Sequence, residues 1–165
     1  MNVGVIVVEL LVMFLAFGFL VIGLLLISPL TFISDYPPEI QEAYYRTQKK
    51  EATKEKLNAI MLVKKGVALI AFLFLFAWML HIAGAETFLQ GLVLAYIYVL
   101  ALFAWDTFFL DWVLFANIKR IRLPGTEQMD KEYHQKWFHV KVCFPMIPVF
   151  ALLGVLSSLV MIWIW

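Results

Sequence analysis

Four stretches of the chain are largely apolar, Val3–Ile27, Gly66–Ile82 with Leu57–Val63 ahead of it, Phe88–Phe115 and Val142–Trp165, and polar residues gather between them. A helix crossing a bilayer needs about 20 mostly apolar residues. Backbone left unpaired in hydrocarbon costs several kcal/mol per group, so such runs close their own hydrogen bonds as helices. A membrane barrel would alternate apolar and polar positions over strands of about 10 residues, and no such alternation occurs. The pattern predicts an all-α polytopic membrane protein, one membrane domain over 1–165. Its four transmembrane helices fall at about 3–27, 62–83, 88–116 and 142–165, flanked by juxtamembrane helices. The first run has no basic residue ahead of it, exceeds the length of a signal-peptide core and is followed by no A-x-A site. It reads as a retained span.

The polar segments, 31–61 and 117–141, have their own structure. Tyr36-Pro37-Pro38 is a turn, because a residue before proline is pushed out of the helical region. Pro38 suits a first helical turn, Glu39 and Glu42 suit its positive end, and no Gly or Pro follows before Lys65. The spacing predicts a polar helix feeding into the second span. In the second segment, Pro124-Gly125 is a turn and Thr126 an N-cap, with Glu127 and Asp130 in the first turn. Met129, Tyr133, Trp137 and Val140 then recur at helical spacing as one interfacial stripe, and Pro145 and Pro148 predict a bend further on.

Charge adds direction. All 13 Lys and Arg fall within Arg46–Lys65 and Lys119–Lys141, with none at either terminus or in His81–Gln90. Basic residues of short loops stay cytoplasmic, so the two polar segments are expected inside and both termini outside, in a cell membrane. A hydrophobic content of 64% lies far above the roughly 45–50% of soluble domains. The lone Cys143 excludes an intrachain disulfide. Nucleic-acid binding has no support beyond lysines that topology already requires. Arg120, Arg122, Lys136 and Trp137 are expected to face lipid headgroups, and membrane lipids are the expected partners.

Ionisable side chains within spans are costly and are candidates for function. Glu9, His81 and Asp106 qualify as intramembrane polar groups, with Asp111 near the inner boundary. Glu9 and His81 lie at similar depth, so a pair between them is allowed. On an α-helix, five residues turn Asp106 and Asp111 about 140° apart, off any narrow shared face. Glu127, Asp130 and His134, at i, i+3 and i+7, do share one. Asp106, Asp111, Asp130 and His134 are therefore the candidate catalytic set, since carboxylates with a histidine suit acid–base work. The plainer expectation is that Asp106 and Asp111 meet Lys or Arg of the second polar segment and brace it. No HExxH, CxxC, Walker or Gly-rich phosphate loop occurs, and no metal site or cofactor is expected.

The runs Asp106-Thr-Phe-Phe-Leu-Asp111-Trp112, Leu123-Pro-Gly-Thr-Glu127 and Tyr133-His134-Gln-Lys-Trp137-Phe138-His139-Val-Lys141, with the turn Asp35-Tyr36-Pro37-Pro38-Glu39, resemble small bacterial four-span integral membrane proteins of unassigned function. The resemblance implies the four-span architecture and a bacterial plasma membrane, and brings no activity. Two readings follow. One is a non-enzymatic accessory, regulatory or transport-associated component, with a homo-oligomer or a membrane-protein partner expected if it serves transport. The other is an interfacial enzyme acting on a lipid-like substrate at the inner leaflet through the Asp/His cluster. The missing signatures lean the reading away from an enzyme.

Overall fold

The structure, a computed structural model, describes residues 1–49 and 59–165, with the backbone alone at 59–61, 64 and 65. Every regular element among the described residues is helical. They are α1 (Val3–Ile27), α2 (Pro38–Gln48), α3 (Ala59–Ile82), α4 (Phe88–Trp105), α5 (Asp130–Tyr133), α6 (Lys136–Cys143) and α7 (Ile147–Ile164). Three helical stretches are long and apolar enough to cross a membrane: Val3–Ile27, Phe88–Phe115 and Lys136–Ile164. The last is α6 and α7 joined through a tight 3-10 turn, Phe144–Met146, where Pro145 and Pro148 interrupt the hydrogen-bond ladder. In α3 the apolar part is Gly66–Ile82.

Contacts divide the chain into two compact units. The first takes Met1–Val12, the described part of 54–102, and Met146–Trp165. Helices α3 and α7 pack along each other in it. One face of α4, Gly91, Leu94, Ala95 and Tyr98, is buried at i, i+3, i+4 and i+7. A side chain at Gly91 would collide with Met161 and crowd Ser158, and one at Gly154 would collide with Tyr96. Small residues are what let membrane helices approach this closely. The chain's start is tied in by the Asn2 N–H, which donates to the Ala83 carbonyl at 2.7 Å.

The second unit takes Met13–Thr53 and Phe103–Pro145. Its core is Leu25, Tyr36, Ile40, Tyr44, Phe115, Ile121, Leu123 and Tyr133. Tyr36, fully buried, donates its hydroxyl to the Ile121 carbonyl at 2.9 Å and meets Phe115 and Tyr133 edge-on. Leu123 and Thr126 close a ring with Tyr133. The Leu123 N–H donates to the Tyr133 oxygen (3.0 Å), that phenol bonds Thr126 Oγ1 (2.8 Å), and Thr126 donates back to the Leu123 carbonyl (2.7 Å). A buried hydroxyl without a partner costs about 1–3 kcal/mol, and here each has one.

Three local expectations are corrected. Helix α2 ends at Gln48, because Lys49 turns left-handed (φ 51°) and donates its N–H back to Arg46, so no single helix runs from Pro38 to Lys65. Lys50, Lys54 and Lys56 lie outside the described residues. Thr126 does not cap a helix. Its hydroxyl is taken by Leu123, and α5 begins only at Asp130. The expected interfacial stripe is split, since the chain leaves the helix at His134 and Gln135, which buries Tyr133 and leaves Trp137 65% exposed.

Gly125 joins the turn to α2. It is left-handed (φ 83°), and a Cβ there would stand 2.7 Å from Thr47 Cγ2. Gly125→Ala should therefore lower stability by about 1–3 kcal/mol in detergent thermal unfolding, from φ strain and overpacking together. Adding Thr47→Ala should restore part of the loss and leave the φ strain; an unchanged unfolding temperature in the single variant refutes the contact.

Candidate functional site

Beyond Trp105 the chain of α4 continues as a π-helix, Asp106–Phe115, in which hydrogen bonds run from i to i+5. The Ala116 N–H donating to the Asp111 carbonyl is one such bond. A wider turn changes which residues align: residues five apart come nearer in azimuth than on an α-helix, so Asp106 and Asp111 approach one side. This corrects the separation expected of an α-helix. Leu110 and Phe115, also five apart, are likewise both buried. Aromatic pairs at four-residue spacing line the same stretch: Trp105 stacks on Phe109 (4.3 Å) and Phe108 meets Trp112 edge-on (4.8 Å).

The residues brought to this face differ from those expected. Asp35, from the 3-10 turn Pro29–Asp35, stands close enough to Asp106 and Asp111 for their charges to interact. His139 of α6 places Nδ1 3.6 Å from Asp111 Oδ2, with both side chains about 15% exposed (16% and 14%). A cleft beside the pair is lined by Asp111, Trp112, Tyr133, His134, Lys136 and His139. Among the described residues neither Asp106 nor Asp111 meets a Lys or Arg, so the bracing expected of them falls elsewhere. Nor do any three His, Cys, Asp or Glu among those residues form a cluster able to hold a metal ion. Asp35 and His139 escaped the sequence reading. The resemblance run and the Asp35-Tyr36-Pro37-Pro38 turn contained them, yet no spacing rule relates residues 104 positions apart.

Bracing belongs to Arg122. Expected at the headgroups, it is buried instead: its side chain is 2% exposed and folds into the loop that bears it. The guanidinium donates to the Glu127 carbonyl at 2.6 Å and the Ala116 carbonyl at 3.4 Å, lies over the Tyr133 ring at 4.7 Å and pairs with Asp130 at 2.6 Å. Acceptors for the two terminal nitrogens replace part of the water the guanidinium loses, while its Nε is buried without a partner among the described residues. Asp130 is thereby committed to Arg122, and the Asp130 carbonyl holds His134 Nδ1 at 2.6 Å. Glu127 accepts the Gly125 N–H. The Glu127, Asp130 and His134 face therefore does not form as a site. Arg120, Lys136 and Trp137 remain exposed, with Lys136 over the Trp112 ring.

Glu9 and His81 do not pair. Glu9 is buried and accepts the hydroxyl of Tyr98, while exposed His81 stacks on Trp165 at 4.9 Å.

Bonds from Arg122 and the charge beside it hold the Asp130 carboxyl below its usual range, and the Gly125 N–H does the same for Glu127. A folded-state value below the unfolded one gives stability that is present above the ordinary carboxylate pKa of about 4 and is lost as pH falls through the lowered value. Acidification below about pH 4 should therefore depress the unfolding temperature of the wild type more steeply than that of Asp130→Asn, read by tryptophan fluorescence. Equal slopes would remove Asp130 from the linkage.

No protein-family model matches this chain, and neither a curated protein nor a solved structure does.

Proposed function

We propose that the chain is a bacterial plasma-membrane protein crossing the bilayer four times, with α3 as the fourth crossing, both termini outside and the two basic segments inside. The uneven placing of the 13 Lys and Arg supports this orientation, and the exposure of large apolar side chains such as Phe72, Phe74 and Leu75 supports α3 as a crossing. The resemblance to small bacterial four-span proteins agrees with it.

The role we propose is that of a non-enzymatic component acting through another membrane chain or a second copy of itself. One observation carries this reading: the polar groups of the second basic segment are consumed in holding its own fold. Arg122, Glu127, Asp130 and His134 each bond loop backbone or one another, so these groups serve the loop's own fold. What that segment offers outward is a rigid surface bearing Trp137, Lys136 and Arg120. A second reading, an interfacial enzyme on a lipid-like substrate, has its own support in the π-helical alignment of Asp106 and Asp111 beside His139 and the cleft.

Orientation is tested in a Cys143→Ser background on whole cells. Cysteines at Asn2 and at exposed Glu86 should react with an impermeant thiol reagent, and one at Gln48 should not. Labelling at Gln48 in intact cells overturns the orientation.

Native mass spectrometry from mild detergent separates the two roles. A component should carry a second protein chain, retained unchanged in Asp111→Asn. An enzyme should instead show a lipid-like species that builds up when Asp111 is replaced and no bound chain; that result refutes the component reading.

A further inference from the structure

Glu9 is the only charged residue of α1, and the helix turns it inward: it is 8% exposed while Val8 and Val12, on other sides, are 59% exposed. It lies six residues after Val3, about 9 Å along the axis. Tyr98 of α4, wholly buried, donates its hydroxyl to Glu9 Oε2. The second oxygen, Oε1, is equally buried and has no partner among the described residues.

The surroundings supply no compensating charge. Gly66–Leu80 of α3 and Ile147–Ile164 of α7 contain no charged side chain, and α4 offers only the phenols Tyr96 and Tyr98. Tyr96 is turned to the Ala151 carbonyl, His81 is exposed against Trp165, and Glu86 is exposed in the turn after α3. The N-terminal amine sits beside Gly84 at the same end. A carboxylate buried without a cation in a low-dielectric setting carries a penalty that neutralisation removes. A carboxylic acid suits the geometry observed: one oxygen accepts from Tyr98, and the other can bear a proton. Loss of that proton would leave a charge facing only a phenol.

The geometry points to Glu9 and Tyr98 as a proton-binding site within the membrane, loaded at neutral pH and exchanging with water at the end of the unit where the N-terminus meets the Ile82–Thr87 turn. The site is independent of the cleft at Asp111. Its ligand is a proton, Glu9 is the group that binds it, and Tyr98 is a positioning residue that orients the carboxyl by occupying Oε2. The exchange path is short, because Val3, about 9 Å along the axis from Glu9, is exposed, as are its neighbours Asn2 and Gly4.

Infrared spectroscopy of the reconstituted full chain tests this. A protonated-carboxyl C=O band should be present at neutral pH, shift within minutes in D2O, and vanish in Glu9→Gln, which keeps size and polarity. Tyr98→Phe should move that band to higher frequency, since the C=O loses its donor. A lipid-soluble carbodiimide gives an arm that needs no variant. The acid's oxygen adds to the central carbon, its proton passes to nitrogen, and acyl migration yields a stable N-acylurea found by peptide mass spectrometry at Glu9. Labelling should fall as pH rises. Absence of the band together with absence of labelling would mean an ionised Glu9 and overturn the site. A band that ignores D2O would mark a sealed structural acid, which overturns it equally.

Discussion

A guanidinium with 2% of its side chain exposed has given up its water, and everything within its reach must answer for that loss. Around Arg122 the loop from Ala116 to Tyr133 supplies two carbonyls, a carboxylate and a ring face. Leaving the Ala116 carbonyl without Arg122 would strand a buried polar group near a core of Tyr36, Ile121 and Leu123. Asp130, 63% exposed, contributes less through Coulomb attraction, which water screens, than through fixing which way the fork points. The ring of bonds through Leu123, Thr126 and Tyr133 then holds the same loop from its other side.

That brace explains where the acidic side chains end up. Asp130 and Glu127 are used within their own loop, so the carboxylates left to gather are those on helix faces: Asp106, Asp111 and, from the turn after α1, Asp35. The π-helix is the step that draws the first two together, because bonding to i+5 widens each turn and brings residues five apart nearer in azimuth. His139 reaches Asp111 because α6 packs against that same π-helical stretch.

Close helix approach plays the corresponding part in the first unit. With no water to drive apolar association inside a bilayer, contact between backbones does the work, and Gly91, Gly154 and Ser158 allow it. Tyr98 lies on the same buried face of α4 as Gly91 and Ala95, which is how its hydroxyl comes to meet Glu9.

What the sequence determined by itself was everything that depends on local runs: helices in place of strands, three of the long apolar helices to within a few residues at most ends, the turn at Pro37-Pro38 and the break near Pro145. Hydropathy and proline geometry act over one to twenty neighbours, so they are written in order along the chain. Tertiary structure alone decided the rest. That Lys49 ends α2, that Thr126 serves Tyr133 and caps no helix, that Arg122 goes inward and that Asp106 shares a side with Asp111 all follow from bonds to particular groups that no hydropathy period encodes, or from a helix type whose period differs from the α-helical one. Charge is concentrated in two segments of the sequence. Which charges turn away from water was settled by the acceptors that folding placed around them.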